Sequence, residues 1–364
     1  MYRSNDLQLK CLHLSVTPRQ LAKLDHNVRA TIWISAILRL DQEECEVKLA
    51  YRGSHTRGFP KKSFQIKFVS PEIYRGEREI HLNAEYADPS LIRNKLSFDF
   101  FSRIGALSPQ ANHILLYING DLAGIYLMIE SVDRNFLQKR NLSEGPIYYA
   151  INSNANFSLV HPKTSTVKDS LESGYQRKHG TADDDAYLRT LIFKINTTPI
   201  AQFEAEIEKH LDVNQYLRWL AGAVCTQNFD GFIHNYALYR DSIKGRFFII
   251  PWDYDATWGR NVNGNELNHT ALPLEGYNTL SARLLDTPSF RLSYRTLLQS
   301  IFRDHYTVME IEPEINKLQQ LIAAFVHLDP HRRHSIDVFE AERAFILSFI
   351  EKRRTFLMEG LALF

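Results

Sequence analysis

Asp230-Gly-Phe-Ile-His-Asn235 runs on through Tyr236-Ala-Leu-Tyr239 and Phe247-Phe-Ile-Ile250 to Pro251-Trp-Asp253-Tyr-Asp255, in a chain of 364 residues. An Asp, an Asn five positions later, two short strands and then a second Asp is the spacing that phosphoryl transfer uses in protein kinases. The chemistry explains the residue types. One carboxylate orients the attacking hydroxyl and accepts its proton, while an amide and another carboxylate hold a divalent cation against the phosphates. Asp230 is thus the candidate catalytic base, and Asn235 and Asp253 are the candidate metal ligands. Asp255 is either a further ligand or structural, and His234 either orients the loop or satisfies a core carbonyl. The bland alternative makes Asp230 the start of a turn with Gly231 and leaves Asp253 and Asp255 to decorate another. Against it, a helix enters the run, a hairpin follows, and Trp252 and Trp258 crowd the carboxylates.

Outward from this run the periodicity changes. Val213 to Thr226 reads as a helix with Leu217, Leu220, Ala221 and Val224 inward, and Phe203 to His210 as another. Residues 278–364 read as mostly amphipathic helix, and residues 142–185 as a polar loop, with a lid or an insertion as the other readings. The first 130 or so residues are β-rich. Cys45–Tyr51 and Phe64–Phe68 alternate, and Ile114–Ile118 and Gly124–Glu130 flank Asn119-Gly120, a strong hairpin signal. A helix is expected over about 89–104, capped by Asp88 and ended by Gly105. The expectation is an α+β, bilobal chain: a β-rich N-terminal lobe over 1–132, a hinge near 130–133, and a mainly helical C-terminal lobe over 133–364.

Composition narrows the function. Forty-three basic residues against 42 acidic ones give a formal charge of +1, and no basic run stands out, so nucleic acid is not the expected partner. Hydrophobic residues at 44% and aromatics at 12% allow a sizeable core. Cys11, Cys45 and Cys225 are too few and too scattered for a disulfide framework and suit a reducing compartment. No apolar stretch is long enough to span a bilayer, and the MYRSNDLQLK terminus lacks a signal core, so a soluble cytoplasmic protein without a membrane partner is expected.

Phosphoryl transfer from a nucleotide also needs a cation on the phosphates. No G-x-G-x-x-G or Walker A pattern is present. The substitute is the basic loop 52–62, with Arg52, Arg57, Lys61 and Lys62; Lys62 leads directly into a strand, and Lys67 on that strand is a rival. Glu130 and Ser131 lie at the connector, where a hinge would meet adenine.

These segments together resemble the spore coat protein CotH family of atypical, protein-kinase-like kinases. The matching stretches are Tyr51-Arg-Gly-Ser, Pro60-Lys-Lys-Ser-Phe64, Leu82 to Lys95 with Asp88-Pro-Ser-Leu-Ile-Arg93-Asn94, and Gly124-Ile-Tyr-Leu with Glu130. They continue in Asn228 to Tyr236 and in Pro251-Trp-Asp253-Tyr-Asp255-Ala-Thr-Trp-Gly259. The resemblance implies a divergent bilobal protein-kinase-like fold and transfer of the ATP γ-phosphate, with Mg²⁺ or Mn²⁺, to serine or threonine of other spore coat proteins, basic Ser-rich ones above all. It implies a mother-cell cytoplasmic origin followed by residence in the coat. Residue by residue it makes Asp230 catalytic, Asp253 metal-binding and Lys62 phosphate-contacting, with Lys61 adjacent and Glu79 and Glu85 as the open choices for the lysine's carboxylate partner. Two rivals remain: a coat scaffold with a vestigial nucleotide site, and a metal-dependent phosphoesterase using Asp230, Asp253 and Asp255.

Overall fold

The computed structural model describes residues 9–40, 43–69 and 76–364, so the reading of the terminus at residues 1–8 lies outside them. The chain divides into two compact units, neither continuous in sequence. One holds residues 1–95, 110–131 and 313–343; the other holds 96–109, 132–312 and 344–364. The chain passes between the units at several points, one of them between Ser131 and Val132, and the exchange of 96–109 and 313–343 has no compositional mark.

Alternation builds the first unit. Strands β1 (Lys10–Ser15), β2 (Ile34–Leu40), β3 (Glu43–Tyr51), β4 (Phe64–Phe68), β5 (Glu79–Asn83), β6 (Ala111–Ile118) and β7 (Asp121–Glu130) close into a barrel in the order β1-β2-β3-β4-β5-β7-β6. In β2, Ile34, Ala36, Leu38 and Leu40 are buried and the residues between them less so, as a period of two requires. Neighbours pair antiparallel except β1 and β6, which run parallel with Lys10 opposite Ile114 and Leu14 opposite Ile118. Closure leaves no open edge and buries Leu12, Leu49, Ile66, Leu82 and Leu116 completely. The β6–β7 turn is made by Asn119 and Gly120, both at positive φ (53° and 93°) as the tight turn demands. The Asn119 amide also bonds both backbone groups of Val16, fastening the turn to the end of β1. Thr17 caps the short helix α1 (Pro18–His26).

The expected helix at 89–104 is corrected at its start. Helix α2 begins at Arg93 and runs to Arg103, because Leu91 sits at φ +60°, a left-handed conformation no helix accepts. Asp88 caps from further back, its carboxylate accepting from the N–H groups of Ser90 (2.9 Å) and Arg93 (2.9 Å). Gly105, at φ +77°, ends the helix.

The second unit carries helix α3 (Arg134–Lys139) and a four-stranded sheet of β8 (Ile147–Ala150), β9 (Tyr175–His179), β10 (Tyr236–Arg240) and β11 (Phe247–Pro251), in the order β11-β10-β8-β9. The loop reading of 142–185 is therefore wrong for β8 and β9; β8 is only four residues long, and all four are buried, so it shows no alternation. Helices α4 (Asp185–Thr197), α5 (Ile200–Ile207) and α6 (Val213–Thr226) follow, then α7 (Thr279–Leu285), α8 (Pro288–Asp304), α9 (Val308–Val326) and α10 (Ile336–Leu363). Pro199 starts α5 three residues earlier than its apolar pattern suggests. α2, α9 and α10 contribute residues to both units.

Candidate active site

The second unit builds the acidic loop from α6 outward. Eleven residues of α6, Val213, Tyr216, Leu217 and Trp219 to Thr226, are buried, so its end is fixed by packing. Gly222 is needed there, since a Cβ would lie 2.2 Å from the ring of Phe101. Gln227 turns the helix off at φ +59°, with the N–H of Asn228 returning to Ala223 O (3.0 Å). The Asn228 side chain then accepts from Gly231 N–H (2.8 Å) and folds Asp230–Phe232 into one 3₁₀ turn. Phe232 is buried against Trp219 and Tyr277, and the Tyr277 hydroxyl donates to Phe229 O. With Phe232 pinned inward, the Asp230 side chain is left at the rim, 33% exposed. His234 stands beside it, Nε2 3.8 Å from the carboxylate and partly exposed, so of its two readings the core histidine is the one the structure corrects.

The hairpin brings the other residues in. Tyr236 pairs with Pro251, so the next residues out are Asn235 and Trp252, whose N–H donates to Asn235 O (3.1 Å). The Asn235 side-chain amide donates to Asp253 O (3.3 Å). Asn235 and Asp253 are both left-handed, at φ 59° and 60°, a conformation that Asn and Asp adopt more readily than other non-glycine residues and that the surrounding structure holds. That structure is visible: Tyr254 is buried against Phe98 and Phe101, Thr257 Oγ1 donates to Tyr254 O (2.7 Å), and Trp258 N–H returns to Thr226 O at the end of α6 (2.8 Å). Asp255 lies half-buried in the bend between these anchors.

The electrostatics tie the two aspartates together. The Asp230 carboxyl is held above the ordinary carboxylate range, chiefly by burial, with the negative charge of Asp253 adding to it and His234 opposing. Two carboxylates and an amide offer hard oxygens, the donor type a Mg²⁺ or Mn²⁺ ion takes. Among the described residues no group of three or more His, Cys, Asp or Glu is placed to hold a metal. An ion that takes only one or two protein oxygens and completes its shell with phosphate oxygens and water needs no such group.

In the first unit the cations of the basic loop bond other protein groups, Arg57 donating to Arg29 O (2.8 Å) and Thr31 Oγ1 (2.8 Å), and only Lys62 turns back on the loop itself. Lys62 Nζ donates to Arg57 O (2.8 Å) and Phe59 O (2.7 Å), and Arg52 bonds the Asn83 side chain. Lys61 is instead buried, its Nζ donating to Ile125 O (2.5 Å) and Asp329 Oδ2 (2.7 Å) above the Tyr126 ring. Lys67 is half-exposed over Trp33, and Glu79 faces Gln65, Lys67 and His81. Glu85 accepts from Asn94 and acts on Lys61 through charge alone. The Glu130 carboxylate accepts from Gln110 N–H (3.0 Å), and its own N–H donates back to Gln110 O. Asp329, 268 residues from Lys61, carries no local sequence signal for this pairing, nor does Tyr277 for its bond to the acidic loop.

Comparison with known proteins supplies the kinship. The profile of the CotH kinase protein family matches residues 49–357. The chain belongs to the CotH family. The inner spore coat protein H of Bacillus subtilis (strain 168) is 46% identical over 359 residues, 99% of each chain. The inner spore coat protein H-like protein of the same organism is 30% identical over 302 residues, 83% of this chain and 86% of that relative. Among solved structures, the HipA–HipB toxin–antitoxin complex of Shewanella oneidensis MR-1 superposes with a TM-score of 0.39 and 12% identity, over 82% of this chain and 60% of that one. The Helicobacter pylori proinflammatory kinase CtkA gives 0.35 and 10%, over 82% and 94%. No helix among the described residues is long and apolar enough to cross a membrane.

Proposed function

We propose that this CotH-family chain is an ATP-dependent protein kinase that phosphorylates serine, or threonine, of spore coat proteins and so supports coat assembly. What supports the reading is the Asn235 amide bonded to Asp253 O, both residues at positive φ, and the Asp253 charge acting on the Asp230 carboxyl. In the proposed reaction the acceptor hydroxyl oxygen bonds to the γ-phosphorus, the bond from that phosphorus to the β–γ bridging oxygen breaks, and ADP leaves. Asp230 takes the hydroxyl proton, and its raised affinity for a proton suits a base that must accept one. Asn235 and Asp253, with Asp255 nearby, would hold Mg²⁺ or Mn²⁺, which when bound neutralises charge on the phosphates. Arg52, Lys61 and Lys62 are the candidate phosphate cations of the first unit, and Glu130 the candidate adenine-side residue. Names of the relatives support a coat location.

The test is transfer of labelled γ-phosphate from ATP to a basic Ser-rich polypeptide, with Mg²⁺, with Mn²⁺ and with a chelator. The proposal expects transfer with a divalent ion and none with the chelator. Nucleotide binding without any transfer would support a coat scaffold in its place.

A further inference from the structure

Within the second unit, the stretch from Asn268 to Asn278 is tied repeatedly to the end of α6 and to the acidic loop. Gln227 Nε2 donates to Asn268 O (2.6 Å). The buried Arg353 guanidinium joins Val224 O (3.0 and 2.8 Å) to His269 O (2.7 Å) and Leu272 O (2.7 Å). The Asn278 amide donates to Phe232 O (3.3 Å), while its oxygen accepts from Ser281 N–H (2.8 Å). Between these ties the Tyr277 hydroxyl donates to Phe229 O, the carbonyl directly before Asp230. Gly276 lets the stretch come so close: it sits at φ +67°, and a Cβ there would lie 2.1 Å from the Phe232 ring.

Tyr277 differs from the other ties in being open to solvent. It is 47% exposed, although its hydroxyl is bonded and its ring lies 4.8 Å from that of Phe232 and 6.5 Å from that of Phe229. A phenol held in this way has little freedom left to lose, so its uncovered face is a rigid surface for another side chain. It stands close enough to Asp230 for the carboxylate charge to hold the phenol proton more tightly. A hydroxyl that gives its proton to Asp230 must come within about 3 Å of the carboxylate. Successive residues of a chain are about 3.8 Å apart, so the neighbours of an acceptor serine must lie over the groups that surround Asp230.

We propose that Tyr277 positions the acceptor polypeptide: its hydroxyl fixes the loop that carries Asp230, and its open ring face takes the side chain beside the acceptor serine. The proposal rests on the kinase reading and deepens it. Glycerol or another small alcohol, with nothing to lay on the ring, is then a poor acceptor.

The experiment compares a serine peptide that has lysine on both sides of the serine with the same peptide carrying alanine there. A lysine stem and its cation suit an aromatic face, and alanine is too short to cover one. Wild type runs beside Tyr277→Phe, which keeps the ring and loses the bond to Phe229 O, and Tyr277→Leu, which keeps apolar cover on Phe232 and loses the ring; each is checked for folding. The expected wild-type KM is ~10-fold lower for the lysine-flanked peptide, a preference kept by Tyr277→Phe and lost by Tyr277→Leu, with KM for ATP the same in all three. Tyr277→Phe should instead lower kcat about 2–10-fold, the worth of one hydrogen bond. A folded Tyr277→Leu that keeps the preference, or a wild type that shows none, overturns the assignment while its transfer leaves the kinase reading intact. Should Tyr277→Leu not fold, an unchanged kcat in Tyr277→Phe overturns it in the same way. A wild type that transfers phosphate to neither peptide overturns both.

Discussion

Asp230→Asn keeps the size and shape of the side chain and removes only the proton acceptor and its charge. Its two expected effects have opposite signs. Loss of a general base costs about 10²–10⁴ in rate, about 3–5 kcal/mol of transition-state stabilisation. Folding stability should move the other way. The Asp230 carboxyl is raised by burial and by Asp253, so its ionised form is disfavoured in the folded chain relative to the unfolded one. That cost is absent at low pH, where the carboxyl is neutral in both states, and complete once pH exceeds the raised folded value. Because the group is 33% exposed, solvent screening limits the gain from its removal to about 1 kcal/mol or less. The assay pairs initial transfer rates with thermal melts at pH about 4 and about 7.5, across the carboxylate range. The variant should be nearly inactive, and its melting-temperature advantage over wild type should grow with pH. A variant that transfers within tenfold of wild type, or melts well below it at neutral pH, would make Asp230 a structural residue and refute the reasoning.

Three further outcomes follow from particular contacts. Gly222→Ala gains about 1 kcal/mol of helix propensity but drives a methyl into Phe101, an overpacking cost of about 1–3 kcal/mol, so the urea midpoint should fall, and a rise would refute the packing account. Asn235→Gly keeps the positive φ and loses the amide, so the melting temperature should hold while the Mg²⁺ concentration for half-maximal transfer rises about tenfold, the effect of ~1.4 kcal/mol; an unchanged Mg²⁺ requirement would remove Asn235 from the ligand set. Arg93→Met strands Asp88 and Glu342, both buried and within 2.6 Å of the guanidinium, and should cost about 3–5 kcal/mol in denaturant unfolding.

What the sequence disclosed depends on the range of the contacts involved. The α6 span, the β10–β11 hairpin and the Asn119-Gly120 turn were legible because each is written in local periodicity or turn chemistry. The acidic run was legible for the same reason, since a helix, one turn and one hairpin fix Asp230, Asn235 and Asp253 within a short stretch. Barrel closure was not, because the parallel pairing of β1 with β6 joins residues about a hundred positions apart. β8 was hidden by being buried on both faces, and the start of α2 by a left-handed Leu91 that no propensity announces. The Lys61–Asp329 pair is the extreme case: adjacent Lys61 and Lys62 look alike in sequence, and only a carboxylate 268 residues away tells them apart.

The central claim is that the Asp230–Asn235–Asp253 rim performs phosphoryl transfer. Its most direct test is mass spectrometry of a Ser-rich coat polypeptide after incubation with ATP and Mg²⁺, with wild type, Asp230→Ala and Asp253→Ala run side by side, each confirmed folded. The account predicts phosphoserine with wild type alone. Phosphoserine of equal yield in either variant would contradict it.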